Sequence, residues 1–125
     1  AEGGRDFIVF NGPDEQFVGG RAMGADGGIG GTYAVMPELF LKADALVRAG
    51  DLETAREIQF AMNEIIYTMC GSRANLYAVM KEILRKGVNV GGVRAPLTPV
   101  SESDLPVVEH SMAMIDAAIE KYNAY

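Results

Sequence analysis

Phe7-Ile8-Val9-Phe10-Asn11-Gly12-Pro13-Asp14-Glu15 and, soon after it, Gly24-Ala25-Asp26-Gly27-Gly28-Ile29-Gly30-Gly31-Thr32-Tyr33 share one grammar. Each is a short strand-like run that stops at glycine or polar residues, with a helical pattern beginning at once. That is strand, tight turn and helix, written twice. Two parallel strands joined through a helix form a βαβ unit, and ligands of such units sit at the carboxyl ends of the strands. The fold class is therefore α/β.

Residues 7–10 are consecutive apolar residues, which predicts a strand buried on both faces. Asn11-Gly12-Pro13 stops it. Gly12 is open either to a positive φ or to close approach of a ligand. Pro13 suits a helix entry, where a missing N–H costs nothing. Asp14 and Glu15 then fall in the first turn, where carboxylates complement the positive end of the helix. Phe17, Val18 and Met23 supply its apolar side, and Gly24 ends it. Gly19-Gly20 either weakens this helix, by roughly 1 kcal/mol per glycine, or lets it press against a neighbour. Residues 25–30 are the second strand, poor in side chains, as where another backbone or a ligand comes close.

The remainder reads as four helices. Val35, Leu39, Phe40, Ala43, Leu46 and Val47 share one face, with Pro37 in the first turn. Gly50 closes that helix and Asp51 caps the next. The second carries Leu52, Ala55, Ile58, Met62, Ile65, Ile66 and Met69 on one side and breaks at Gly71-Ser72. The third carries Leu76, Val79, Met80, Ile83 and Leu84 and ends in Lys81, Arg85, Lys86 and Gly87. Residues 88–100 are a connector containing Gly91-Gly92, Pro96 and Pro99. Ser101 or Ser103 caps the last helix, whose apolar side includes Leu105, Val108, Met112, Ile115, Ile119 and Tyr122. Two strands leave N–H and C=O groups unpaired along at least one edge, so further strands are expected from outside this chain.

With 125 residues the chain holds one modest core. A net charge of −6 argues against a nucleic-acid partner, which requires a basic patch. Cys70 is the single cysteine, so no internal disulfide forms, and a reduced, cytoplasmic setting is expected. No apolar run approaches the ~18 residues of a membrane span, and the polar residues 1–6 are not a signal peptide. The absence of an initial Met and the nearness of the first strand to the start read as signs of a part of something larger.

Several constellations admit a bland and a chemical reading. Gly27-Gly28-Ile29-Gly30-Gly31-Thr32 before a helix either cradles an anion with backbone N–H groups or permits close packing. It lacks the P-loop lysine and the dinucleotide fingerprint. Asp14 and Glu15, adjacent on a helix, point about 100° apart, which disfavours a matched acid/base pair. Either they accept hydrogen bonds from a polyol, since ionised carboxylates only accept, or they are first-turn helix charge. His110 reads as a surface residue and Cys70 as a buried small hydrophobe. No cluster has metal-ligand spacing. None of Lys42, Lys81, Lys86 and Lys121 lies in a strand, where burial would lower a lysine's pKa and arm it as a Schiff-base nucleophile.

The two opening stretches, followed by Val93-Arg94-Ala95-Pro96-Leu97-Thr98-Pro99 in this order and spacing, resemble the N-acetylneuraminate lyase and dihydrodipicolinate synthase family across essentially the whole chain. The resemblance implies the C-terminal portion of a (β/α)8 TIM barrel, the strands here being its last two, plus a C-terminal helical extension. Residues 1–33 would hold those strands and the helix between them, and residues 34–125 the eighth barrel helix and the extension. It implies a class I aldolase that forms a Schiff base with pyruvate and needs no cofactor. The Gly-x-Asp-Glu turn looks closer to the neuraminate lyase branch, whose activity is cleavage of sialic acid to N-acetylmannosamine and pyruvate. Dihydrodipicolinate synthesis or cleavage of another 2-keto-3-deoxy sugar acid is the alternative within the family. A self-associating, non-catalytic helical module is the alternative outside it.

By the same resemblance Gly12, Asp14 and Glu15 line the site and meet the sugar's hydroxylated tail, and Gly30 and Gly31 contribute from the second turn. There are departures. Neuraminate lyases commonly have serine where Gly31 stands, so one tail contact is lost, and a tyrosine often precedes the Asp-Glu pair where this chain has Pro13. The family's Schiff-base lysine, tyrosine proton shuttle and carboxylate-gripping loop belong to earlier strands, and a whole barrel needs about 250 residues. The implied partners are a small-molecule substrate (pyruvate with an amino sugar or related aldehyde), the missing N-terminal barrel segment, and further copies in a homo-oligomer, a tetramer in the family.

Overall fold

The computed structural model describes residues 7–125; the polar opening at residues 1–6 lies outside the described residues. Strand β1 (Phe10–Asn11) passes through a 3₁₀ turn (Asp14–Gln16) into helix α1 (Phe17–Ala22) and returns as β2 (Gly27–Gly28). A second 3₁₀ turn (Thr32–Ala34) leads to α2 (Pro37–Ala49), α3 (Leu52–Cys70), α4 (Leu76–Leu84) and α5 (Leu105–Tyr122). The strands are parallel, with Phe10 opposite Gly27 and Asn11 opposite Gly28. The ladder extends beyond them: Asp26 N–H donates to Val9 O at 2.7 Å and Ile29 N–H to Asn11 O at 3.0 Å. Two parallel strands followed by a helical extension are the tail end of a TIM-barrel-like α/β fold.

Two expectations about the strands are corrected. Each is shorter than the run that announced it. Phe7, Ile8, Val9 and Phe10, expected to be buried on both faces, are 45–67% exposed. The reason is local: β1 has one partner strand among the described residues, and that partner is a pair of glycines without side chains to cover anything.

Pro37 sits in the first turn of α2, and the helix stops at Gly50, whose φ of +84° is the left-handed conformation that glycine adopts without a Cβ penalty. Gly50 N–H returns to Val47 O at 3.1 Å and Asp51 N–H to Leu46 O at 2.9 Å, which satisfies the last carbonyls. Asp51 then caps α3 by accepting from Thr54 N–H at 3.1 Å. That bond holds the Asp51 carboxyl below its ordinary range.

Helix α3 is the hub and packs against α1, α2, α4 and α5. Its buried residues are Ala55, Ile58, Gln59, Met62, Ile65, Ile66 and Met69, the three-and-four spacing of one helical face. Leu52 and Leu105, expected on buried faces, are 47% and 40% exposed, because each occupies the first position of its helix, at the margin of the core. Cys70, expected to be buried, is exposed. It lies about 100° round the helix from Met69, the last residue of α3 to face the core. Among the described residues no helix is long and apolar enough to cross a membrane.

Of the two serines offered as a cap, Ser101 serves. Its N–H and hydroxyl donate to Asp104 Oδ2 at 2.9 and 2.5 Å. Asp104 Oδ1 accepts from Ser72 Oγ at 2.8 Å and Arg73 N–H at 3.0 Å, so one carboxylate ties the α3–α4 loop to the entry of α5. The Ser101 hydroxyl first, then the backbone and Ser72 donors, hold the Asp104 carboxyl well below the ordinary carboxylate value. A depressed carboxyl contributes stability that is complete above the unfolded pKa near 3.8 and is lost as pH falls below it. Asp104→Asn therefore lowers the urea midpoint at pH 7 and makes the drop in midpoint between pH 5 and pH 3 smaller than in the wild type. An equal drop in both proteins would contradict this role.

Candidate functional site

Because β1 and β2 run parallel and in register, their carboxyl ends deliver two turns side by side. After β1 come Gly12, Pro13 and the turn carrying Asp14 and Glu15; after β2 come Gly30, Gly31 and the turn opened by Thr32. The structure brings both sets together through Asp14. Its carboxylate is 8% exposed, and Oδ2 accepts from Thr32 N–H at 2.8 Å and from Thr32 Oγ at 2.5 Å. Distances of this order are usual for hydrogen bonds to a charged acceptor. A Cβ on Gly30 would overlap the Asp14 carboxylate, so glycine there serves close approach and not an unusual φ.

Amides on α3 hold the first turn from behind. Gln59 Nε2 donates to Asp14 O at 3.1 Å and to Asn63 Oδ1 at 2.9 Å, while Gln59 Oε1 accepts from Val18 N–H at 2.8 Å. Asn63 Nδ2 donates to Glu15 O at 3.3 Å. These bonds satisfy backbone groups that the short 3₁₀ turn and the start of α1 leave without helical partners. Asn11 lies against Gly20, which is the close approach that the Gly19-Gly20 pair allowed. Gly12 has an ordinary φ and nothing within 4 Å of where a Cβ would stand, so neither a positive φ nor close packing within the chain requires glycine there.

Glu15 differs from its neighbour. It is half-buried, and among the described residues its carboxylate has no hydrogen-bond or ion-pair partner. Cys70 lies near enough that the Glu15 charge adds to burial in raising its thiol pKa. The adjacent carboxylates thus have separate tasks: Asp14 binds the second turn, with Oδ1 left beside Gly30, and Glu15 stays available. Both sites offer acceptors, which suits a ligand rich in hydroxyls.

Gly28 performs for β2 what Gly30 performs for the turn. The Tyr33 hydroxyl and the Phe17 ring press where its Cβ would be. Tyr33 stacks on Phe40, with centroids 3.8 Å apart and planes 9° from parallel, and meets Phe17 edge-on at 5.8 Å. Its hydroxyl is buried without a partner among the described residues, and its pKa is pushed up to about 12 by burial first and the Asp14 charge second. A cleft of about 290 Å³ opens beside this cluster, lined by Phe17, Gly28, Tyr33, Phe40 and Arg48 among others. It includes none of Gly12, Asp14, Glu15, Gly30 or Gly31.

Thr32, Gln59, Asn63 and Tyr77, whose ring stands against Gly31, were missed from the sequence. Gln59 carried a signal, being a polar residue on an apolar helical face. Thr32 carried a weaker one, as a hydroxyl residue at a helix entry. Lys42, Lys81 and Lys121 are on helices and Lys86 is in the turn after α4, so no described strand carries a lysine.

The family model described as the dihydrodipicolinate synthetase family matches residues 1–115. The chain is 50% identical over 121 residues to N-acetylneuraminate lyase of Mediterraneibacter gnavus, a match covering 95% of this chain and 38% of that protein. With N-acetylneuraminate lyase of Rhizobium meliloti it shares 37% identity over 116 residues, 88% of this chain and 36% of that one. Among solved structures, wild-type Ruminococcus gnavus sialic acid aldolase overlays with a TM-score of 0.93 at 50% identity, covering 95% of this chain and 40% of that chain. The chain thus spans well under half the length of these relatives.

The Gly30 contact has a direct test in stability. Gly30→Ala forces the buried Asp14 carboxylate off Thr32 and costs about 1–3 kcal/mol in denaturant unfolding. Gly12→Ala, with open space around it, stays within ~0.5 kcal/mol of the wild type.

Proposed function

The chain belongs to the dihydrodipicolinate synthetase family, and from that premise we propose that the whole protein is a Schiff-base-forming carbon–carbon lyase that cleaves N-acetylneuraminate to N-acetylmannosamine and pyruvate. The observation that carries this reading is 50% identity over 121 residues to an N-acetylneuraminate lyase, joined to a TM-score of 0.93 against a sialic acid aldolase. In this reading residues 1–33 close the barrel and residues 34–125 supply its eighth helix and the helical extension. The rest of the barrel, pyruvate and the amino sugar are the partners, within a cytoplasmic homo-oligomer.

A lysine amine on another strand condenses with the substrate's keto carbon, losing water, and the resulting imine draws electrons from the bond that breaks. No metal or organic cofactor is needed. This chain's share is recognition. Gly12 leaves room for the substrate, Glu15 accepts from hydroxyls of the sugar tail, and Asp14 Oδ1 offers a second acceptor at the diglycine turn formed by Gly30 and Gly31. The geometry supports that division, since Asp14 is already spent on Thr32 while Glu15 is free.

Borohydride reduction with pyruvate leaves no stoichiometric pyruvyl adduct on the 125-residue chain, whereas a complete barrel containing it is trapped; mass spectrometry distinguishes these. In that complete enzyme, Glu15→Gln raises KM for N-acetylneuraminate about ten-fold, the scale of a lost charge-assisted hydrogen bond. Faster cleavage of a 2-keto-3-deoxy acid with a shorter tail would overturn the sialic acid assignment.

A further inference from the structure

Position 31 poses a question that backbone geometry does not answer. Gly31 has φ −72° and ψ −45°, ordinary right-handed values open to any L residue. The space around it is different. A Cβ there would stand 3.0 Å from Cε1 of Tyr77 and 3.7 Å from its Cζ and its hydroxyl, and these are its three nearest neighbours. A side chain at position 31 would crowd the Tyr77 ring, which would have to give by a few tenths of an ångström.

Tyr77 is aimed by the cap of α4. Asn75 Oδ1 accepts from Tyr77 N–H at 3.0 Å, and Asn75 N–H donates to Thr98 O at 2.9 Å, which fixes the first turn of α4 against the connector. Tyr77 is 53% exposed, and among the described residues only its backbone N–H, not its hydroxyl, takes part in a hydrogen bond with a side chain. Thus Asp14 flanks the diglycine turn at Gly30 and a phenol flanks it at Gly31.

The functional groups here are unbalanced without that phenol. Asp14 and Glu15, ionised, can only accept. The Thr32 hydroxyl is committed to Asp14, so a donating side chain at this turn must come from elsewhere. A polyol tail brings hydroxyls that each donate one hydrogen bond and accept others, so a site of carboxylates satisfies half of their capacity. A tyrosine hydroxyl both donates and accepts.

We propose that Tyr77 is a substrate-contacting specificity residue: its hydroxyl reaches over Gly31 to bind the hydroxylated tail, and Gly31 and Tyr77 form a reciprocal pair in which the small residue admits the large one. This rests on the lyase reading of the same site. Tyr77 takes no part in breaking the bond, so its effect falls on substrate affinity.

In the complete enzyme, Tyr77→Phe keeps the ring and removes one oxygen. KM for N-acetylneuraminate rises about five-fold, the effect of one neutral hydrogen bond, with kcat within two-fold. KM for a 2-keto-3-deoxy acid that lacks the tail does not move. Gly31→Ser, which presses on the ring, also raises KM for the long substrate, and the Gly31→Ser/Tyr77→Phe double variant raises it by less than the product of the two single effects, because both act through the same hydroxyl. An active wild type whose Tyr77→Phe variant shows unchanged KM, or an equal change for long and short substrates, overturns the Tyr77 assignment alone. A wild type inert toward every 2-keto sugar acid overturns the lyase reading, and the assignment with it.

Discussion

One buried carboxylate holds the working end of this molecule in register. Asp14 leaves the first strand's turn and ends on the backbone and hydroxyl of Thr32 in the second. A parallel pair gives adjacent turns but does not by itself fix their spacing, because each turn is short and rich in glycine. A carboxylate on a residue only 8% exposed costs several kcal/mol unless hydrogen bonds offset its lost hydration, and Thr32 supplies two. That penalty makes the contact a constraint: the turns come to the distance at which Asp14 meets Thr32 and Gly30. Glycine at position 30 is the consequence, since no Cβ fits beneath the carboxylate.

The helical extension makes the constraint durable. Helix α3 buries a continuous apolar face against four other helices and interrupts it once, at Gln59. That interruption holds Asp14 O and Val18 N–H, backbone groups at the join of the 3₁₀ turn and α1. Helix α4 comes to the same turns from the other side, with Tyr77 over Gly31. A segment outside the βαβ unit therefore braces the turns at the carboxyl ends of its strands. Asp104 plays the matching part at the far junction, joining the α3–α4 loop to the start of α5.

The adjacent carboxylates show how one sequence motif divides into unlike parts. Thr32 places two hydrogen bonds on one oxygen of Asp14, while the Glu15 carboxylate, one residue on, has no partner among the described residues. Their directions differ by about 120° because they occupy successive positions of a 3₁₀ turn. In the proposed reading, recognition of a hydroxylated ligand falls to Glu15, the open oxygen of Asp14, and the groups that flank the diglycine turn.

Local chemistry was enough to read much of this from the chain alone. Parallel strand–turn–helix order, the stop at Gly50, the cap at Asp51, the break at Gly71 and the apolar faces of α2 to α5 follow from residue type and spacing within a few positions, which is the range over which caps and periodicity act. Gly12, Asp14, Glu15, Gly30 and Gly31 were legible as residues of two neighbouring turns for the same reason. Tertiary structure decided the rest. That Asp14 is engaged depends on Thr32, 18 residues away. That Gln59 is buried in service of the first turn depends on a contact 45 residues apart, and that Gly31 makes room for Tyr77 depends on where α4 docks. The exposure of residues 7–10 and of Cys70 likewise reflects what lies beside them. Sequence pattern records a residue's own preference, whereas a close approach is a property of two surfaces that only the folded chain brings together.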